Sequence, residues 1–106
     1  MAWIGVDLDG TLAEYHGYCG PEHIGDPVPL MLARVKAWLG EGKDVRIFTA
    51  RADDSVSEKY IRHWCSVHVG QVLPITRTKD YGMIELWDDR AIQVIPNTGQ
   101  RADGVI

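Results

Sequence analysis

The sequence predicts a three-layer α/β domain built on a mainly parallel, five-stranded sheet. Short apolar runs rich in β-branched residues alternate with segments of helical period, which is the pattern of βαβ units. Several of these runs end in acidic or hydroxyl residues at what would be their carboxyl ends. The chain has 106 residues, enough to bury one core but not two, so residues 1–106 read as a single domain.

Trp3 to Leu8 is apolar and reads as a buried first strand, ended by Asp9-Gly10-Thr11. Residues 13–27 are rich in Gly, with Tyr15, His16, Tyr18 and His23, and carry no period. They read as a flap-like excursion, since loops of this length in compact domains are usually functional or disordered. Pro29 to Leu39 puts Leu32, Val35, Trp38 and Leu39 on one helical face, with Pro29 suited to a first turn. Asp44 to Thr49 is the second strand. Ser55 followed by Glu58 has the spacing of a capping box. The helix it opens should turn Val56, Tyr60, Ile61, Trp64 and Val67 or His68 inward, and Gly70 should stop it. Val72–Ile75, Ile84–Trp87 and Ala91–Ile95 are the third to fifth strands. Between Ile75 and Ile84 there is no room for a crossover helix. Eight extended residues still span roughly 26 Å, against a little over 20 Å needed to cross three strand spacings and return.

Charge narrows the function classes. Lys and Arg total 11 and Asp and Glu 15, a net charge of −4. Asp7, Asp9, Asp88 and Asp89 fall at strand exits. Without them the chain is balanced, so it has no global basic field for nucleic acid. Two cysteines, Cys19 and Cys65, cannot form a disulfide framework. With no secretion-type leader or membrane span in the sequence, the expectation is a cytoplasmic chain with no membrane partner. His63 and His68 lack the spacing of a zinc site.

In an open parallel sheet, ligands bind beyond the carboxyl ends of the strands. Asp7 and Asp9, two residues apart in extended chain, point the same way. Without a cation they repel and one stays protonated. With Mg²⁺, a hard ion taking oxygen ligands, both become ligands, and Asp88 completes the protein's share. Thr49 and Lys79 then face the same anion, and phosphoryl transfer asks for little more.

Val6-Asp7-Leu8-Asp9-Gly10-Thr11-Leu12 resembles the first motif of the haloacid dehalogenase superfamily. Ile47-Phe48-Thr49 resembles its second motif, Lys79 its third, and Glu85-Leu86-Trp87-Asp88-Asp89 its fourth. The likeness runs from Trp3 to about Ile95 and is to small members without a large cap domain. It implies a Rossmann-like fold and a Mg²⁺-dependent phosphomonoester hydrolase. Asp7 would be the nucleophile that forms an aspartyl phosphate, and Asp9 the general acid and base. Phosphate would be held at Leu8, Asp9, Thr49 and Lys79. The metal would be held by the Asp7 side chain, the Asp9 carbonyl and Asp88, with Asp89 acting through water or on Lys79. The family's helix before the fourth motif has no counterpart here.

Arg51, Arg77 and Arg90 also lie near strand exits. They either compensate the acids or hold a second anionic group of a substrate. Tyr15 and His16 either pack the flap or contact substrate. The substrate is a phosphorylated small molecule or the phosphorylated end of a macromolecule, and homo-oligomerisation would be one way to cover the open site. Two other classes use similar residues: a receiver-like phosphoacceptor domain and a non-catalytic binding module of the same fold. Receivers usually carry the acceptor on the third strand, which disfavours the former.

Overall fold

The computed structural model describes residues 2–106. Its elements run β1 (Trp3–Asp7), α1 (Pro29–Gly40), β2 (Asp44–Phe48), α2 (Ser55–His68), β3 (Ile75–Thr76) and β4 (Met83–Trp87). The four strands form one parallel sheet in the order β3-β2-β1-β4. Val6 pairs with Ile47 on one side and Trp87 on the other. All the carboxyl ends therefore meet at one edge.

Alternation along the strands sets the core. Ile4 and Val6 of β1 and Val45 and Ile47 of β2 turn to one face, where they join Met31 and Val35 of α1 and Ile61, Trp64 and Cys65 of α2. Both helices thus pack on the same face. This follows from handedness: two successive right-handed crossovers moving in one direction across a sheet put their helices on one side. A helix on the other side would have to come from the β3–β4 crossover, which runs the opposite way. That link has only residues 77–82 and carries no helix. The expected third layer is therefore not formed by a helix among the described residues. On the second face Trp3 is covered instead by Arg46, whose guanidinium lies 4.6 Å from the ring centroid, and by Phe48.

The fifth strand expected at Ala91–Ile95 does not join the sheet. Three residues separate it from β4, far short of a parallel crossover. Val94 instead bridges Arg101, and Ala102 N–H donates to the Gln93 carbonyl in a small exposed hairpin. The third strand shrinks to Ile75–Thr76. α2 is capped by Asp54, whose carboxylate accepts from Val56 N–H and Ser57 Oγ, so Ser55 is the first helical residue and not the cap. Its buried stripe is Ser57, Ile61, Trp64 and Cys65, while Val56, Tyr60 and Val67 face outward. Ser57 can be buried because Asp54 satisfies its hydroxyl.

Residues 13–27 form the expected excursion, drawn shut at its neck. Ala13 bridges Pro27, Glu14 N–H donates to the Asp26 carbonyl and Val28 N–H to that of Leu12. Trp64 of α2 ties the loop down through Nε1–H to the Gly25 carbonyl, 2.9 Å. A Cβ on Gly25 would run into the Glu14 carbonyl oxygen. Forcing extra atoms into a packed site costs about 1–3 kcal/mol, so Gly25→Ala should lower the melting temperature by roughly 5–20 °C. Thermal denaturation followed by circular dichroism checks this, and an unchanged transition would mean the neck is looser than described.

Candidate functional site

The site forms where β1 and β4 end side by side. Asp7 is the last residue of β1, and Asp88 and Asp89 follow β4 directly. One carboxylate oxygen from each of the three lies within 4.8 Å of the others. Thr11 holds the group together. Its hydroxyl accepts from Asp89 N–H at 3.0 Å and lies 3.2 Å from Asp89 Oδ1 and 3.4 Å from Asp7 Oδ2. Gly10 is required next to it. Its φ is +92°, and a Cβ there would sit 2.6 Å from an Asp89 carboxylate oxygen.

Electrostatics at Asp7 follow from this crowding. Burial, then the close approach of the Asp89 carboxyl, then the charges of Asp88, Asp89 and Asp9 push its pKa up to about 7. Each of these disfavours a second negative charge in the same place. A set of three oxygen donors whose charges repel suits a hard divalent cation.

Asp9 is held differently. Arg51 grips both its oxygens, Nε–H to Oδ2 at 2.8 Å and Nη2–H to Oδ1 at 3.0 Å. The same guanidinium donates to the His23 carbonyl and lies 5.2 Å from the Tyr18 ring centroid. It therefore ties Asp9 to the flap. Arg51 thus compensates an acid, whereas Arg77 pairs with Asp53. Asp89 bonds Thr11 rather than an arginine. Thr49 is buried just past β2, where its hydroxyl accepts from Arg51 N–H at 3.2 Å.

A hollow of about 500 Å³ opens over these groups, walled by Asp7, Asp9, Thr49, Arg77, Asp88 and Arg90 among others. Most of the expected residues therefore meet, and Leu8 is fully buried beneath them. Lys79 does not. It lines a separate hollow with Asp80, Tyr81 and Met83. The reason is the short link: within six residues the chain must return to the amino end of the sheet, where Trp3 N–H meets the Gly82 carbonyl and Trp3 Nε1–H the Asp80 carboxylate. Residues 79–82 are consumed by that return, and Arg77, directly after β3, stays at the carboxyl edge. A second hollow of about 260 Å³ lies under the flap, lined by Glu14, Tyr15, His16, His23, Asp26 and Arg51 among others. It shares Asp9 and Tyr15 with the first. Sequence reasoning gave Thr11 no role beyond its motif and missed Trp64 as the anchor of the flap. The hydroxyl following Asp-x-Asp-Gly was the available signal for Thr11, and none pointed to Trp64.

No protein-family model matches the chain, and no curated protein matches it. A solved structure of a conserved protein from Bacteroides thetaiotaomicron has a similar fold, with 21% identity and a TM-score of 0.62 over 89% of this chain and 80% of that one. No helix among the described residues is long and apolar enough to cross a membrane.

The raised Asp7 pKa has a consequence for stability. The native state keeps a proton that an unfolded Asp, with its ordinary value of 3.8, would lose. Without divalent cations, stability should therefore fall as pH rises from about 4 to about 7 and level off above. Urea unfolding across that range should show a slope in the native chain that is reduced in Asp7→Asn; identical slopes would mean Asp7 is not crowded.

Proposed function

We propose that the chain is a Mg²⁺-dependent phosphomonoester hydrolase of the haloacid dehalogenase type, acting through an aspartyl phosphate on Asp7. The observation that carries this reading is the convergence of the Asp7, Asp88 and Asp89 carboxylates, of which Asp7 and Asp88 wall a hollow shared with Asp9, Thr49 and two arginines. Asp7, Asp88 and the Asp9 carbonyl are the proposed protein ligands of Mg²⁺, with Asp89 beside them. When bound, the ion would supply the positive charge that keeps Asp7 ionised and offsets charge on the phosphoryl oxygens.

The chain's own groups account for the remaining steps. An Asp7 oxygen attacks phosphorus as the ester P–O bond breaks. Asp9 gives its proton to the departing alkoxide. In the second half a water attacks the aspartyl phosphate, Asp9 takes the water's proton, and the bond to Asp7 breaks to release inorganic phosphate. Arg51 occupies both Asp9 oxygens, so one must be freed for Asp9 to reach the substrate. Thr49 accepts a backbone hydrogen bond, and its own O–H serves as a donor to the phosphoryl oxygens. Arg90 takes the cationic role expected of Lys79, joined by Arg77 when it leaves Asp53. Planar guanidinium groups suit a phosphate's spread of oxygens. The substrate is a phosphorylated small molecule or macromolecule end. Cys19 and Cys65 are free thiols, which suits a reducing compartment such as the cytoplasm.

Two experiments test this. Mg²⁺ at 100 times its dissociation constant should stabilise the fold by about 2.7 kcal/mol, and Asp88→Asn should remove most of that gain. A melting temperature indifferent to millimolar Mg²⁺ would count against the site. Rapidly quenched mixtures with p-nitrophenyl phosphate, read by mass spectrometry, separate the two aspartates. Asp7→Asn should lose phosphoenzyme and turnover together. Asp9→Asn should keep phosphate on Asp7 while turnover drops about 10²–10⁴-fold. Normal turnover by Asp7→Asn would sink the assignment, and stable phosphorylation of the native chain without turnover would indicate a phosphoacceptor instead.

A further inference from the structure

The hollow under the flap adjoins the reaction site at the residue that must meet the leaving group. Asp9 and Tyr15 belong to the walls of both hollows. A general acid has to lie within hydrogen-bond reach of the oxygen it protonates, so the alcohol of a bound ester extends from Asp9 into the space under the flap.

The walls of that space have a definite charge. Three acidic residues, Asp9, Glu14 and Asp26, line it together with one arginine, Arg51. In the resting arrangement that guanidinium is occupied by Asp9 and the His23 carbonyl. Glu14 and Asp26, at the neck of the flap, make no ion pair within 4 Å among the described residues. The remaining polar side chains are the imidazoles of His16 and His23, the Tyr15 phenol and the Cys19 thiol.

Resting on the phosphatase reading, we infer that this hollow is the leaving-group site and selects phosphomonoesters of neutral or cationic alcohols, rejecting alcohols that carry a second anionic group. Glu14 and Asp26 are its specificity-determining residues, acting by charge repulsion across the hollow. Both are exposed, so the effect is moderated by solvent and weakens with salt.

The test uses three matched two-carbon esters: 2-aminoethyl phosphate, 2-hydroxyethyl phosphate and phosphoglycolate. They are assayed with Mg²⁺ at pH 8, above the ordinary imidazole range, beside p-nitrophenyl phosphate. The ratio of kcat/KM for the neutral ester to that for the anionic one is compared between the native chain and Glu14→Gln, Asp26→Asn and the double variant, which cancels intrinsic differences between leaving groups. Each single variant should lower that ratio roughly threefold to tenfold, chiefly through KM for phosphoglycolate, and 0.5 M salt should lower the native ratio in the same direction. Thermal melts establish that each variant is folded; should Asp26→Asn fail to fold, Glu14→Gln alone decides. Turnover of p-nitrophenyl phosphate with no change in the ratio in folded variants, or a native preference for phosphoglycolate, would overturn the inference and leave the phosphatase reading standing. No hydrolysis of p-nitrophenyl phosphate would overturn both.

Discussion

Mutual repulsion among Asp7, Asp88 and Asp89 is the constraint around which this end of the molecule is built. Parallel pairing of β1 with β4 brings the three carboxyls together whether or not they repel, because hydrogen-bonded neighbours in a sheet lie about 4.8 Å apart. The chain answers at short range. Thr11 takes up a backbone N–H and lies against two of the acids, and Gly10 leaves out the one atom that would prevent their approach. What remains is a carboxyl at Asp7 with its pKa pushed up to about 7. Core burial elsewhere holds this arrangement in place: Leu8 and Leu12, on either side of the turn, are fully buried. The acids therefore cannot relax apart without taking apolar side chains out of the core.

Below the site, one short connection decides much of the architecture. Six residues join β3 to β4 on the far side of the sheet. That length allows no helix, so the face opposite α1 and α2 is closed locally by Arg46 and Phe48 over Trp3. The same length carries Lys79 away from the carboxyl edge and leaves Arg77 beside it. Arg46 itself is fixed by Asp44 through two hydrogen bonds. A single economy of chain thus sets the number of layers and the identity of the cation in the hollow.

Above the site, the flap is attached at three levels: its neck by backbone hydrogen bonds, its far limb by Trp64, and its inner side by Arg51. Arg51 matters most for chemistry, since it grips Asp9 and the flap backbone together. Movement of the flap and the freedom of the Asp9 carboxylate are therefore mechanically linked.

Much of this was legible in the sequence, because it depends on local pattern. Short apolar runs of β-forming residues gave β1 and β2 nearly to the residue, and Asp7, Asp9, Thr49 and Asp88 could be placed at strand exits since a strand's end follows from its length. Pro29 and Gly70 marked helix limits through backbone geometry alone. Where reading failed, the answer lay in contacts between distant segments. Val56, Tyr60 and Val67 satisfied a helical period as well as Ser57 and Cys65 did, and only the Asp54 cap and packing against the sheet chose between them. Ala91–Ile95 had the composition of a strand but no connection long enough to enter the sheet in parallel. Lys79 stood at the right distance in sequence from β3, yet the path back to Trp3 took it elsewhere. Sequence by itself determined which residues end strands, since that is set by neighbours along the chain. Tertiary structure alone decided which charges share a hollow, since that depends on how far each connection must travel to bring its strand into register.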